Sequence, residues 1–224
     1  MDPGGQQGSG VMQTAEFKAF TSRLGVMPIG NVAPFVRQPV SRTYIAGTEI
    51  YAQGDEAGEL YTVEFGAVRI HRLLSDGRRQ VIAFHLAGET FGFEPGETRS
   101  FFAEAITSTG LRPAGSASAG KATPEMMQLA LEGMLRAQEH LLVIGRQCAM
   151  ERIAAFFLDM AERQADEETI ELPMPRLDIA DYLGLTIETV SRTLAKMRAS
   201  GVIELHGTRT VRLKKLDLLK DLCR

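Results

Sequence analysis

The segment from Ile179 to Ser200 constrains the fold of this 224-residue chain more than any other, because it contains two short helical patterns joined by a glycine. The first pattern spans about 176–183. Gly184 follows it, and glycine adopts a positive φ there without the steric cost of a side chain. Thr186 is placed to cap a second helix that continues to about Ser200 and stops at Gly201. The segment therefore predicts a helix-turn-helix.

The second of these helices has an apolar and a polar face. Apolar residues recur at positions i, i+4 and i+7, which are Val190, Leu194 and Met197. The opposite face carries Glu188, Ser191, Arg192 and Lys196. Arginine can bind a guanine edge with two hydrogen bonds, glutamate can accept from cytosine, and serine suits a base or a phosphate. An ordinary solvated face is the alternative, but the turn and cap favour a recognition helix in the major groove.

A hairpin follows the predicted recognition helix. Residues 202–205 and 210–213 are rich in β-formers, and 206–208 form the turn between them. A hairpin in this place is a wing, which usually rests on DNA phosphates. The side chains that we expect on the DNA backbone are Thr186, Thr189, Lys196, Arg209, Arg212 and Lys214.

The charge distribution agrees with DNA binding at the C-terminal end. The whole chain has a formal net charge of −3. From Thr186 onward, however, lysine and arginine outnumber aspartate and glutamate by nine to four.

The cysteines and the hydropathy exclude several other classes. Cys148 and Cys223 are the only cysteines, and their spacing suits neither a disulfide framework nor a zinc or iron–sulfur site. We find neither a signal peptide nor an apolar run long enough for a membrane helix. We expect a cytoplasmic protein without cofactor or metal.

The N-terminal half changes character twice. Residues 1–30 are rich in Gly, Gln and Ser and read as a mobile arm. Residues 31–122 contain many short β-rich runs with glycines between them, and Asp76-Gly77 is a strong hairpin signal. This pattern predicts a small antiparallel barrel or jelly roll.

A long helix is predicted for residues 123–148, with Thr123 as its cap and Pro124 at its first position. It should run to about Gln147. Apolar residues three and four apart form a heptad seam of Met127, Ala130, Met134, Ala137, Leu141, Ile144 and Cys148. A second apolar side, which could pack on the barrel, consists of Leu129, Leu131, Leu135 and Leu142. A helix that packs only on its own barrel is the alternative, but two apolar sides favour a homodimer coiled coil.

Residues 149–224 are predicted to form the DNA-binding domain. Their first helix, about 149–164, has an inner side of Ile153, Phe156, Phe157 and Met160. The predicted fold class is α+β: an N-terminal β jelly roll, a long dimerisation helix and a C-terminal winged helix-turn-helix.

These parts in this order resemble the CRP/FNR superfamily of bacterial transcription regulators. The similarity extends from about Ile29 to the C-terminus. Its most specific motifs are F-H-L-A-G-E at 84–89, A-M-E-R-I-A-A-F at 149–156 and D-Y-L-G-L-T-I-E-T-V-S-R at 181–192. They are most similar to the FixK-type branch.

The resemblance implies a homodimeric activator that reads palindromes of the TTGAT…ATCAA type. It implies that Arg192 binds the guanine, Glu188 the opposing cytosine, and Ser191 a thymine or phosphate. It also implies a contact with RNA polymerase at the turn formed by 75–80, where the candidate side chains are Asp76, Arg78 and Arg79. Because no cysteine precedes Cys148, an oxygen-sensing Fe–S cluster is not expected; FixK-type proteins control microoxic, anaerobic and nitrogen-fixation genes without one.

Two alternatives remain. Glu89 and Arg99-Ser100 stand at the spacing of a cyclic-nucleotide phosphate cassette, with Arg for the phosphate and Glu for the ribose. Otherwise Arg99 is expected to pair with an acid such as Glu97 or Glu104. A cupin-like metal enzyme is the remote alternative, since His85 and Glu89 are four apart but a third ligand is not in sight.

Overall fold

Eight antiparallel strands form the first part of the computed structural model, which describes residues 40–116 and 123–223. The strands are β1 (Arg42–Tyr44), β2 (Glu49–Tyr51), β3 (Glu59–Phe65), β4 (Ala67–Leu73), β5 (Arg79–Leu86), β6 (Thr90–Phe91), β7 (Phe102–Ala105) and β8 (Thr109–Ser116). The predicted arm, residues 1–30, lies outside the described residues, as do the predicted boundaries at 31 and 122.

The strands alternate between two four-stranded sheets, with orders β1-β8-β3-β6 and β2-β7-β4-β5. This interleaving is the jelly-roll arrangement, so the predicted fold of the N-terminal half is confirmed. Between the sheets lies an apolar core of Tyr51, Tyr61, Val63, Val68, Ile70, Phe91, Ala103 and Leu111. The β4–β5 hairpin turns at Asp76-Gly77, as predicted, with Gly77 at φ 81°.

The long helix α1 (Pro124–Ile144) begins as predicted but ends early. The hydroxyl of Thr123 accepts a hydrogen bond from the main-chain N–H of Met126 at 3.2 Å. The helix stops at Ile144, however, and its C-cap is Gly145. The prediction that it reaches Gln147 and carries Cys148 is wrong, because Cys148 has extended backbone (φ −100°, ψ 134°) and is the N-cap of the next helix.

The C-terminal part contains four helices and a small sheet. They are α2 (Ala149–Gln164), β9 (Thr169–Glu171), α3 (Arg176–Leu183), α4 (Ile187–Ala199), β10 (Ile203–His206), β11 (Thr210–Leu213) and α5 (Leu216–Leu222). The four predicted inward residues of α2 are all at most 1% exposed. The sequence did not indicate β9 or α5. No helix in the described ranges is both long and apolar enough to cross a membrane.

The barrel and the C-terminal helices share one apolar core. Tyr182 of α3 packs on Phe84 of β5 and Phe156 of α2, with ring centroids 5.0 and 5.8 Å away. The imidazole of His140, on α1, stacks on the other side of Tyr182 at 3.8 Å. One ring of α3 is thus in contact with the barrel, the long helix and α2.

A carboxylate of the barrel ties both long helices together. Glu89 accepts two hydrogen bonds from the guanidinium of Arg163 on α2, at 2.8 and 2.9 Å. It also forms an ion pair with Arg136 on α1 at 2.9 Å. Burial would raise the pKa of Glu89, but its bonds to Arg163 outweigh burial and hold the pKa below its usual value.

Candidate nucleic-acid interface

The turn between α3 and α4 has the geometry that the sequence predicted. Gly184 adopts a left-handed conformation (φ 63°, ψ 39°), and the N–H of Leu185 donates to the carbonyl of Ala180 at 3.0 Å. Thr186 then caps α4, because its hydroxyl accepts from the N–H of Thr189 at 3.2 Å. The two threonine hydroxyls also lie 3.0 Å apart. Both predicted backbone-contacting threonines therefore lie at the N-terminus of α4, where free N–H groups attract anions.

Helix α4 divides into a buried and an exposed face. Val190, Thr193, Leu194 and Met197 are buried. Glu188, Arg192 and Lys196 are exposed, and Ser191 is half-buried. Among the described residues, none of these last four side chains has a hydrogen bond or ion pair. Their polar groups are therefore available to a ligand without breaking a contact of the fold.

The predicted base-reading residues form a shallow depression on the protein surface. Its lining consists of Ile187, Glu188, Ser191 and Arg192. The structure thus brings together the three predicted residues and adds Ile187, whose side chain is 39% exposed. No sequence signal identified Ile187 in advance, because it lies three residues before Val190 and so continues the spacing of the apolar face.

The wing is a three-stranded sheet rather than a free hairpin. Strand β11 lies between β10 and β9. Of the predicted phosphate-binding side chains, Arg209 is exposed at the tip and forms no ion pair within the described residues. Arg212 lies 4.0 Å from Glu168, and Lys214 lies 3.8 Å from Glu204. Both of these cations are half-exposed, and such pairs contribute little to stability, so phosphates can compete for them.

The exposed face of α1 differs in part from the predicted heptad seam. None of the helix's side chains is buried. Its most exposed large apolar residues share one side of about 120° at 100° per residue, and they are Met127, Leu131, Met134, Leu135, Leu141 and Leu142. Leu131, Leu135 and Leu142 were predicted to pack on the barrel; this prediction is wrong, because they point away from it. Only Leu129 of that set faces the barrel, where it lines a cavity with Ala137 and His140.

The seam residues Ala130 and Ile144 are half-buried and, like Ala137, lie at the edge of this exposed face. Cys148 does not belong to it, since it lies beyond the end of α1.

Arg79 does not belong to the exposed hairpin tip with which it was grouped. Asp76 and Arg78 lie at the tip and pair with each other at 2.8 Å. The guanidinium of Arg79 instead binds the carboxylates of Asp178 and Asp181 on α3. Its predicted contact with polymerase is corrected accordingly, because the group is already engaged inside the molecule.

The proposed cyclic-nucleotide residues are not assembled around a common site. Arg99 is 3% exposed and donates to the carbonyls of Gly92 and Glu59, both at 2.7 Å. Its guanidinium carbon also lies 4.2 Å from the ring centroid of Tyr51. The expected pairing of Arg99 with Glu97 or Glu104 is therefore wrong: its partners are carbonyls and a ring.

The other two members of the set are also engaged by protein groups. Ser100 binds Glu94 through its hydroxyl at 2.8 Å. Glu89 is held by Arg136 and Arg163. No group of three or more potential metal ligands occurs in the described ranges.

Comparisons with known proteins agree with this architecture. Residues 151–222 match the Crp-like helix-turn-helix domain, and residues 41–111 match the cyclic nucleotide-binding domain. The chain is 56% identical over 191 residues to the nitrogen fixation regulation protein FixK of Rhizobium meliloti, covering 85% of this chain and 90% of that protein. The chain is a FixK-type member of the CRP/FNR family of transcription regulators.

Solved structures show the same relationship. FixK2 from Bradyrhizobium japonicum superposes with a TM-score of 0.75 at 42% identity, covering 83% of this chain and 98% of that one. A CRP-family regulator from Thermus thermophilus superposes with a TM-score of 0.69 at 28% identity, covering 81% and 96%. Family membership implies a regulator that binds DNA as a dimer, and it overturns the cupin-enzyme alternative, because the family consists of regulators and not of enzymes.

Proposed function

We propose that this regulator is a homodimeric activator that reads TTGAT…ATCAA-type palindromes in the cytoplasm. We propose that it controls microoxic, anaerobic and nitrogen-fixation genes without a cofactor. The observation that carries the proposal is the exposed, unpartnered set of Glu188, Ser191 and Arg192 beside the capped N-terminus of α4. The FixK name of the relative at 56% identity supports the choice of target genes.

The side chains of the depression suit specific groups of a DNA half-site. The guanidinium of Arg192 can donate twice to guanine O6 and N7, and Glu188 can accept from cytosine N4 on the opposite strand. Ser191 suits a thymine or a phosphate. The exposed apolar side chain of Ile187 suits the methyl group of a thymine. A half-site with guanine, cytosine and thymine fits this set.

Two copies of the chain would be joined through the exposed apolar face of α1, which includes Met127, Met134 and Leu141. Burial of such a face is the main driving force for association. The two α4 helices should then enter successive major grooves, roughly 34 Å apart. Arg209, Arg212 and Lys214 of the wing would bind phosphates, giving affinity without sequence preference.

The β4–β5 hairpin tip is the proposed contact with RNA polymerase. The side chains of Asp76 and Arg78 are exposed there and pair only with each other in the described structure, so they are accessible to a partner.

The test is fluorescence anisotropy of a labelled TTGAT…ATCAA duplex with purified protein, in air, with and without cyclic AMP. We expect tight binding without ligand. Arg192→Ala should cost roughly 1–3 kcal/mol per half-site and remove the preference for guanine over adenine. The matched control is Arg198→Ala, which removes an exposed arginine from the same helix and should preserve that preference.

Two results would contradict the proposal. If Arg192→Ala kept the wild-type preference for guanine, the base assignment would be wrong. If the protein bound only with cyclic AMP present, the barrel would be a working nucleotide sensor and control without effector would be excluded.

A further inference from the structure

A buried carboxylate of the helix-turn-helix is held by two arginines of the barrel. Asp178, on α3, is 1% exposed. Its Oδ2 accepts from Arg69 of β4 at 2.7 Å, and its Oδ1 binds the guanidinium of Arg79 on β5. A carboxylate at such depth is stable only when its charge is compensated by partners of this kind.

A second carboxylate on the same face of α3 extends the contact. Asp181 lies three residues after Asp178, so the two side chains are neighbours on the helix surface. Its Oδ2 accepts two hydrogen bonds from Arg79, at 2.8 and 3.0 Å. The amide of Gln80 donates to the main-chain carbonyl of Asp181. Arg79 and Gln80, which are consecutive in β5, therefore bind the same turn of α3. Arg79 binds the side chain of Asp181, and Gln80 binds its main-chain carbonyl.

The barrel also holds Arg69 independently of α3. Arg69 also binds Glu104 of the neighbouring strand β7. Burial would lower the pKa of Arg69, but the bonds to Glu104 and Asp178 outweigh burial and raise the pKa, so the guanidinium stays charged. We name the cluster of Arg69, Arg79, Asp178 and Asp181 the α3 clamp. Its arginines lie on strands of the barrel and its carboxylates lie on a helix, so both partners of each ion pair belong to regular secondary structure.

The orientation of α3 also determines that of α4. Helix α3 has eight residues, and only 184–186 separate it from α4. The packing of Tyr182 against Phe84 holds α3 near the barrel, but apolar contacts impose little direction. The charge-assisted hydrogen bonds from Arg69 and Arg79 to the two carboxylates impose direction as well as distance.

We propose that Asp178 and Asp181, through Arg69 and Arg79, are positioning residues for DNA recognition. The α3 clamp fixes the angle at which each barrel presents its recognition helix, and so sets the half-site spacing that the dimer accepts. This inference rests on the proposed function, because it takes the target to be a palindrome with two half-sites.

The test compares Arg79→Ala with Arg78→Ala. The two arginines are adjacent and carry the same charge, but Arg78 is 77% exposed at the hairpin tip and pairs only with Asp76 in the described structure. Affinity is measured by anisotropy for the native palindrome, for palindromes with one base pair inserted or deleted between half-sites, and for a single half-site.

We expect Arg79→Ala to reduce the preference for native spacing by about fivefold, the lower end of the usual range for coupling between sites. Affinity for the single half-site should change by less than about twofold, since no base-reading residue is touched. Arg78→Ala should match the wild type on every duplex, because its proposed partner, RNA polymerase, is absent from these assays. An equal loss on all duplexes would show a merely structural role and would overturn the proposal.

A second variant avoids the buried Asp178. The side chain of Asp181 is 21% exposed, and Asp181→Asn keeps its size, so folding should be preserved. Combined with Arg79→Ala, it should reduce the spacing preference by less than the product of the two single effects, because both remove the same contact. Full additivity would contradict the α3 clamp.

Hydrogen exchange without DNA separates this inference from the proposed function. Amides of α3 and of the turn should exchange faster in Arg79→Ala than in wild type or Arg78→Ala. If the wild type shows no preference for the palindrome over a half-site, the proposed function is wrong. In that case the hydrogen-exchange data alone decide whether the α3 clamp orders α3. If Arg79→Ala changed neither the exchange rates nor the spacing preference, the proposed role of the α3 clamp would be rejected.

Discussion

The guanidinium of Arg152, on α2, donates to the main-chain carbonyl of Leu183 at 3.0 Å, while its Nε donates to the carbonyl of Arg146 at 3.0 Å. Leu183 is the last residue of α3, and Arg146 lies in the break between α1 and α2. One side chain thus supports both the end of α3 and the junction between α1 and α2.

Arg152→Ala should destabilise the protein by roughly 1–3 kcal/mol for each carbonyl that loses its hydrogen bond and is not reached by water. Arg152→Lys should rescue only part, since an ammonium cannot bridge both carbonyls with planar geometry. Urea unfolding without DNA measures the loss, with Arg198→Ala as the exposed-arginine control. Equal stability of Arg152→Ala and Arg198→Ala would show that these bonds contribute nothing.

Met134→Glu should prevent dimerisation, because it places two like charges in the centre of an apolar interface. The residue is 54% exposed in the single chain and lies in the middle of the exposed face of α1. Sedimentation velocity at micromolar protein should show a monomer. Glu139→Lys, on the polar side of the same helix, should remain a dimer, and a dimeric Met134→Glu would refute the assigned face.

Acid should destabilise the fold between about pH 6.5 and pH 4. Burial lowers the pKa of His85 to about 4, and the attraction of Glu89, 3.7 Å away, does not offset it. The unfolded chain binds this proton near pH 6.5, so within that window it holds more protons than the folded chain, and the free energy of unfolding decreases as the pH is lowered. Burial also lowers the pKa of His140 to about 4 and adds to the same slope.

His85→Leu should remove the contribution of one histidine to this slope. The free energy of unfolding should then fall by roughly 3 kcal/mol less across the pH window than in wild type. Denaturant unfolding at several pH values measures it. Wild-type protein measured in parallel is the reference. If the slope were unchanged in His85→Leu, the imidazole would bind its proton as readily in the folded chain as in the unfolded chain.

Arg99→Lys should destabilise the barrel, and cyclic AMP should not stabilise the wild type. A lysine cannot serve both carbonyls and lie flat over the ring of Tyr51, so at least one carbonyl loses its partner, at roughly 1–3 kcal/mol. Thermal unfolding with and without the nucleotide tests both statements. A rise in Tm with cyclic AMP that disappears in Arg99→Lys would assign Arg99 to a nucleotide phosphate.

Arg209→Ala should weaken binding equally for all DNA sequences and reduce the slope of log affinity against log salt by about one. The residue is exposed at the wing tip without an ion pair in the described structure. Anisotropy titrations at several salt concentrations provide the slope. Lys220→Ala, an exposed cation on α5, is the control, and a sequence-dependent loss in Arg209→Ala would indicate base contact instead.

Local patterns predicted the helix-turn-helix and the barrel because each depends on residues close together in the chain. The Gly184 turn, the Thr186 cap and the Asp76-Gly77 hairpin are decided by the backbone preferences of a few residues. The end of α1 was predicted wrongly because the apolar spacing continues through Cys148, whereas the helix itself stops before Gly145.

The contacts between distant segments could not be predicted. Arg79 and Asp178 are 99 residues apart, and nothing near either residue distinguishes a buried partner from a solvated charge. Arg99 was assigned an acidic partner because acids are close in sequence, whereas the fold offers it two carbonyls. The side of α1 that faces the barrel was likewise undetermined, since apolar residues cover more than half of its circumference.

The third strand of the wing sheet limits how the wing can adapt to DNA. Strand β9 pairs along β11, and the N–H of Leu172 donates to the carbonyl of Arg209 at 2.7 Å. Residues 207–209 lie between the ends of β10 and β11, so the wing is a short loop on a rigid three-stranded base. Under the proposed function, we expect the length of this loop to set how far the wing reaches toward DNA phosphates, so inserting residues there should change the DNA footprint without disturbing the domain.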